Sequence, residues 1–140
     1  MTRFLISALA ALFIFGCASA PKDPQMTVAD ITAKGAKRLT GPEVRTLMAG
    51  AKMEGNAWSS GNAFTSTMNP NGTFDGVTSH GRKFDGTWTV NDADGQACTY
   101  IRNAPPAGSP CAYTYRLNGT YYISDSGEPV GRVIERRFTR

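Results

Sequence analysis

From Lys52 onward, apolar and polar side chains alternate with a period of two, the pattern of half-buried strands. Phe64, Ser66 and Met68 alternate up to Asn69-Pro70-Asn71-Gly72, which reads as a turn. Residues 73–78 form the next run. Phe84, Gly86, Trp88 and Val90 alternate cleanly before Asn91-Asp92-Ala93-Asp94-Gly95 turns the chain again. Cys98 and Tyr100 share a face, as do Cys111, Tyr113, Tyr115 and Leu117. Asn118-Gly119 is a strong hairpin signal, because both central positions of that tight turn need positive φ. Residues 120–124 return, a turn at 125–129 follows, and 130–138 make a last strand. Roughly seven to eight strands at about 8–12-residue spacing predict a mainly β fold, a small antiparallel β-barrel or sandwich with one N-terminal helix.

The helix signal begins at Leu39. Thr40-Gly41-Pro42-Glu43 has the form of a capping box, with Thr40 placed to cap the Glu43 N–H and Glu43 to reach back. Pro42 falls in the first turn, where its missing N–H costs nothing. Leu39 and Val44 occupy the hydrophobic-staple positions, Val44, Leu47, Met48 and Ala51 make one apolar face, and Gly50 is a stop. Residues 28–33 fit a short helix or a strand equally well.

The N-terminus has a different pattern. Arg3 precedes an apolar run from Phe4 to Phe15 broken only by Ser7. That length suits the core of a secretory signal and is too short for a spanning helix. Ile14-Phe15-Gly16-Cys17 resembles the bacterial lipobox, in which a small residue precedes a cysteine that becomes lipidated. Phe15 is bulkier than usual at its position. The competing cut, after Ala18-Ser19-Ala20, would leave Pro21 next to the cleaved bond, an obstacle to the peptidase. The expected division is therefore 1–16 lipoprotein signal peptide, 17–37 lipidated tether and 38–140 single β-rich domain. The resemblance implies palmitate-type acyl chains on Cys17, and more than one chain anchors a protein stably. Ala18 is not the Asp that often retains such proteins at the inner membrane. The expected address is the cell envelope, at the outer membrane and facing the periplasm or the surface.

Composition narrows the partners. The 140 residues carry a formal charge of +4, of which the leader accounts for Arg3 alone. This mild excess excludes the charge density of a nucleic-acid binder. Three cysteines are an odd number for an exported chain. Lipidation consumes Cys17 and leaves Cys98 and Cys111 to form a disulfide in an oxidising envelope, the alternative being two buried thiols. With His80 the only histidine, a zinc site lacks ligands. Asp92-Ala93-Asp94-Gly95 lacks the remaining ligands of a calcium loop. Neither metal nor cofactor is expected.

Catalytic candidates are thin. His80 sits in Thr78-Ser79-His80-Gly81-Arg82, a polar turn, and Ser79 would point to the opposite face of a strand. Asp75, Asp85, Asp92, Asp94 and Asp125 nearly all lie beside Gly or Asn in predicted turns, where they serve local hydrogen bonds. No assembled catalytic set is legible, so the expectation is a non-enzyme. Phe64, Phe74, Phe84, Trp88, Tyr100, Tyr113, Tyr115, Tyr121 and Tyr122 fall in strands, as core residues or as the lining of an apolar-ligand site. Arg132, Arg136, Arg137 and Arg140 crowd the C-terminus, either as contacts to an anionic surface or as a charged edge that blocks aggregation.

Leu39-Thr40-Gly41-Pro42-Glu43, Leu47, Gly50, Asn71-Gly72-Thr73, Gly86-Thr87-Trp88 and the Cys98…Cys111 pair together resemble a recurrent group of small exported bacterial domains of unknown function. That resemblance covers roughly residues 39–131 and implies an envelope location and a disulfide. The Gly-x-Trp strand, the cysteine pair and the terminal hairpin with Asp and Gly are also similar to calycin-type barrels, including envelope-anchored inhibitors. In those the Gly-x-Trp strand comes first rather than mid-chain. Ser60-Gly61 followed by Phe64 is similar to a motif in lysozyme-inhibitor lipoproteins. Three roles follow as expectations: a non-catalytic binding or structural module with an envelope protein or glycan as partner, an inhibitor of a lysozyme or protease, and a carrier of a small apolar ligand.

Overall fold

The computed structural model describes residues 25–102, 104 and 110–140. The leader, Cys17 and most of the expected tether lie outside the described residues, as do residues 103 and 105–109. The element order is α1 (Val28–Ala33), β1 (Lys37–Arg38), α2 (Gly41–Met48), β2 (Lys52–Asn56), β3 (Ala63–Met68), β4 (Thr73–Thr78), β5 (Lys83–Val90), β6 (Ala97–Ile101), β7 (Cys111–Leu117), β8 (Thr120–Ser124) and β9 (Ile134–Thr139).

Strands β2 to β9 form an up-and-down antiparallel meander, and β9 returns to pair with β2, with Lys52 opposite Thr139 and Gly55 opposite Arg136. The sheet is therefore a closed eight-stranded barrel, not a sandwich. The short β1 is an added strand beside β7, where Lys37 and Arg38 face Arg116 and Tyr115. Closure gives every barrel strand two neighbours and removes the sheet's edges.

Alternation fills the lumen. Met68, Phe74, Trp88 and Val90 are buried, and Met53, Phe84, Ala97, Tyr121 and Phe138 pack against them. Phe84 contacts both Phe64 and Phe74 edge-on, at centroid distances of 6.0 and 6.2 Å. The Trp88 indole N–H is shared between the carbonyls of Asn69 (3.0 Å) and Thr73 (3.1 Å), which pins the β3–β4 turn to the core. Gly86 is required by crowding: a Cβ there would run into the Tyr100 carbonyl on the neighbouring strand.

Helix α2 caps one end of this cylinder. Val44 and Met48 join the lumen cluster together with Leu39. Both the N–H and the hydroxyl of Thr40 donate to the Glu43 carboxylate at 2.8 Å, so the capping box is tied mainly through Glu43. Arg45 donates to the Val90 carbonyl and pairs with Asp92 at 2.7 Å, and Arg140 donates to the Thr46 carbonyl.

A second cluster lies on the outer wall. Val28 and Ile31 of α1, with Ala36, pack on Tyr115 and Val133, flanked by Tyr113, Leu117 and Tyr122. The face shared by Tyr113, Tyr115 and Leu117 is thus turned outward, under a helix, instead of into the lumen. Helix α1 has its own capping box, in which the Thr27 N–H donates to Asp30 at 2.8 Å. Its burial corrects the expected 17–37 tether: the folded domain begins by about residue 26, because Ile31 is fully buried.

Candidate functional site

The two ends of the barrel differ in kind. The capped end carries α2 and the polar turns at 69–72, 91–96 and 118–119, the last with Asn118 at φ 49° and Gly119 at φ 85°. The opposite end, open in that no helix covers it among the described residues, gathers the 57–62, 79–82 and 125–133 connections. The chain also comes into the domain at the open end. Thr27 bridges to Arg132, the Val133 N–H donates to the Met26 carbonyl, and Arg132 lies 4.6 Å from the Trp58 ring centroid while bonding to Gln25.

Most of the expected site residues are dispersed by the fold. His80 is exposed in the β4–β5 turn, 3.4 Å from the Ser79 hydroxyl, and among the described residues no carboxylate hydrogen-bonds to it. Asp92 and Asp94 lie in a turn, as read, and Asp92 is held by Arg45. Asp75 and Asp85 do not lie in turns. They sit within β4 and β5, directly opposite one another on the outer wall. Arg102 answers Asp85 at 2.7 Å, relieving the repulsion of like charges across a ladder. Around them Thr65, Thr67, Val77 and Lys83 line a shallow outer hollow of about 500 Å³. A second hollow of the same size lies between α1 and the wall, lined by Val28, Ala36, Arg38 and Tyr115. Among the described residues no His, Cys, Asp or Glu cluster could hold a metal ion, and no helix is long and apolar enough to cross a membrane.

The four C-terminal arginines do not form a patch, nor does β9 offer an edge for them to protect. Arg132 is at the open end. Arg137 faces outward opposite Glu54. Arg140 is at the capped end on Thr46. Arg136 points into the barrel and is only 4% exposed. Its guanidinium lies 5.1 Å from the Phe64 ring centroid and donates to the Glu135 carbonyl at 3.1 Å. Burial pulls its pKa down to about 10. Gly55 opposite leaves the necessary room, since a Cβ would collide with this side chain. The signal was available: Ile134, Arg136 and Phe138 alternate onto one face, and two of the three are apolar.

Cys98 and Cys111 face each other across β6 and β7 and are joined by a disulfide that closes a separation of 13 residues. Cys17 lies outside the described residues. Of the strand aromatics, Phe64, Phe74, Phe84, Trp88 and Tyr121 serve the lumen, Tyr113, Tyr115 and Tyr122 the α1 contact, and Tyr100 stays exposed. Compared with known proteins, the chain matches no family model, no curated protein and no solved structure.

Proposed function

We propose that this chain is an exported envelope lipoprotein, acylated on Cys17, whose barrel is a non-catalytic binding or structural module. The observation that carries the reading is the filled lumen. Met68, Phe74, Trp88, Phe84 and Phe138 occupy it, which leaves recognition to the outer wall and the connecting loops. A closed, disulfide-linked barrel holds such loops on a rigid frame, the arrangement in which loops commonly carry binding. The domain begins only eight residues after Cys17, so it would sit close to its anchor. The same packing gives a carrier role little support, because the strand aromatics touch one another instead of surrounding space.

Inhibition of a lysozyme or protease is the second reading. Its support is the up-and-down eight-stranded meander, an architecture shared with the calycin-type barrels the sequence resembles. The turns of the capped end would serve as the contact.

Mass spectrometry of the protein extracted from membranes tests the principal reading. The expected mature chain starts at an acylated Cys17, with Cys98 and Cys111 resistant to alkylation, and Cys17→Ser moves the protein to the soluble fraction. An unmodified chain starting at Pro21, or one retaining its leader, would overturn it. Absence of inhibition at micromolar protein removes the second reading.

A further inference from the structure

We propose that the open end of the barrel is a membrane-contact surface that rests on the phospholipid interface; this rests on acylation of Cys17. Four large apolar side chains stay exposed among the described residues: Val77 (40%), Tyr100 (50%), Ile101 (45%) and Val130 (84%). All four belong to the same half of the molecule. Val77 is the penultimate residue of β4, Tyr100 and Ile101 end β6, and Val130 lies in the β8–β9 connection. Each of these positions leads into the open end. Trp58, in the β2–β3 connection, adds a partly buried indole stacked on Arg132. The capped end contributes none of these side chains, and its turns are built from Asn, Asp, Gly and Pro with Ala93 and Gln96.

Where the chain comes in fixes which end meets the bilayer. Gln25 is bonded to Arg132 beside Trp58, at the open end. Eight residue steps separate it from Cys17 and span at most about 28 Å. The eight residues of β5 alone run about 27 Å. Bringing the capped end to the bilayer would require the connection to run back down the barrel wall almost fully stretched. With the open end down, Cys17 reaches the bilayer under no such constraint.

The composition of this end also suits the interface. Trp and Tyr favour the headgroup level, where an apolar ring and a polar atom are both satisfied. Arg82, Lys83, Arg102 and Arg132 surround them and are matched in number by Asp30, Asp85, Asp125 and Glu128. The electrostatic contribution is small, so insertion of Trp58, Ile101 and Val130 into the headgroup region provides the main contact.

The two tryptophans supply the test, since Trp88 is buried in the core and Trp58 is at the open end. The mature protein, its acyl mass verified, is reconstituted in phosphatidylethanolamine–phosphatidylglycerol vesicles containing brominated lipid. The expected result is that Trp58 emission is quenched while Trp88 emission is not, as a headgroup-depth location of the open end requires. Quenching disappears in Trp58→Phe, and it also disappears when Ile101→Asp and Val130→Asp are combined, with acylation intact. An acylated chain whose Trp58 is unquenched overturns the proposal. If no acyl group is found, the anchor reading falls instead. The unacylated chain at millimolar lipid then decides the contact surface alone: quenching of Trp58 sustains it, and none refutes it.

Discussion

Replacing Arg136 by methionine should make the protein more stable. The guanidinium sits inside the barrel at 4% exposure, with no ion pair to an acidic side chain among the described residues. Burial drops its pKa to about 10, which corresponds to a cost of about 3 kcal/mol for keeping it charged. Two contacts offset part of this. Stacking on Phe64 contributes about 1 kcal/mol and the bond to the Glu135 carbonyl about 1 kcal/mol more. Arg136→Met removes cost and offsets together while keeping the stem's volume beside Gly55. The net gain is about 1 kcal/mol, or roughly 4 °C in Tm for a domain of this size. The sign with pH follows from linkage. A cation whose folded pKa is depressed destabilises in full below that value, and the penalty eases as pH rises through about 10. The advantage of Arg136→Met should therefore shrink above pH 10. Calorimetry of the disulfide-intact domain reads both effects, and the outward Arg137→Met should stay within about 0.5 kcal/mol of the parent. A fall of several degrees in Arg136→Met would refute the reasoning and mean that the buried cation is held by something stronger than these two contacts.

Cys98→Ser with Cys111→Ser releases a 13-residue closure and should lower stability by about 3 kcal/mol in the chain-entropy account, read as a lower urea midpoint. Reductant should give the same shift in the parent and none in the variant. Glu43, held below its usual pKa by the Thr40 N–H and hydroxyl, stabilises while ionised. That contribution is present above the unfolded pKa and lost as pH falls through the folded one. Between pH 5 and pH 3, urea melts of the parent should therefore lose more stability than those of Glu43→Gln, by an amount this exposed group keeps small.

Local patterns were legible and global closure was not. The alternation of Phe84, Gly86, Trp88 and Val90, the Asn118-Gly119 turn and the Thr40–Glu43 cap all follow from nearest-neighbour chemistry. Barrel or sandwich depends on whether β9 reaches β2, a pairing between residues more than 80 apart that no local period encodes. Alternation also says which side chains share a face without saying where the face points. Tyr113 and Tyr115 turn outward because α1 covers them. That helix was ambiguous because six residues carry too few periods, although Thr27 and Asp30 already formed a cap. A glycine beside an aspartate is an ambiguous turn signal: Gly76 and Gly86, next to Asp75 and Asp85, serve close strand packing instead.

The seam between β2 and β9 has a temporal consequence. Its second half is contributed by Ile134–Thr139, the barrel strand made after all the others. Until it arrives, the earlier strands are a curled ribbon with two unsatisfied borders, along β2 and β8, each able to recruit another chain. Completion of the cylinder therefore waits for β9. A product truncated just before it would lose far more than its length suggests, and would remain permanently open to self-association.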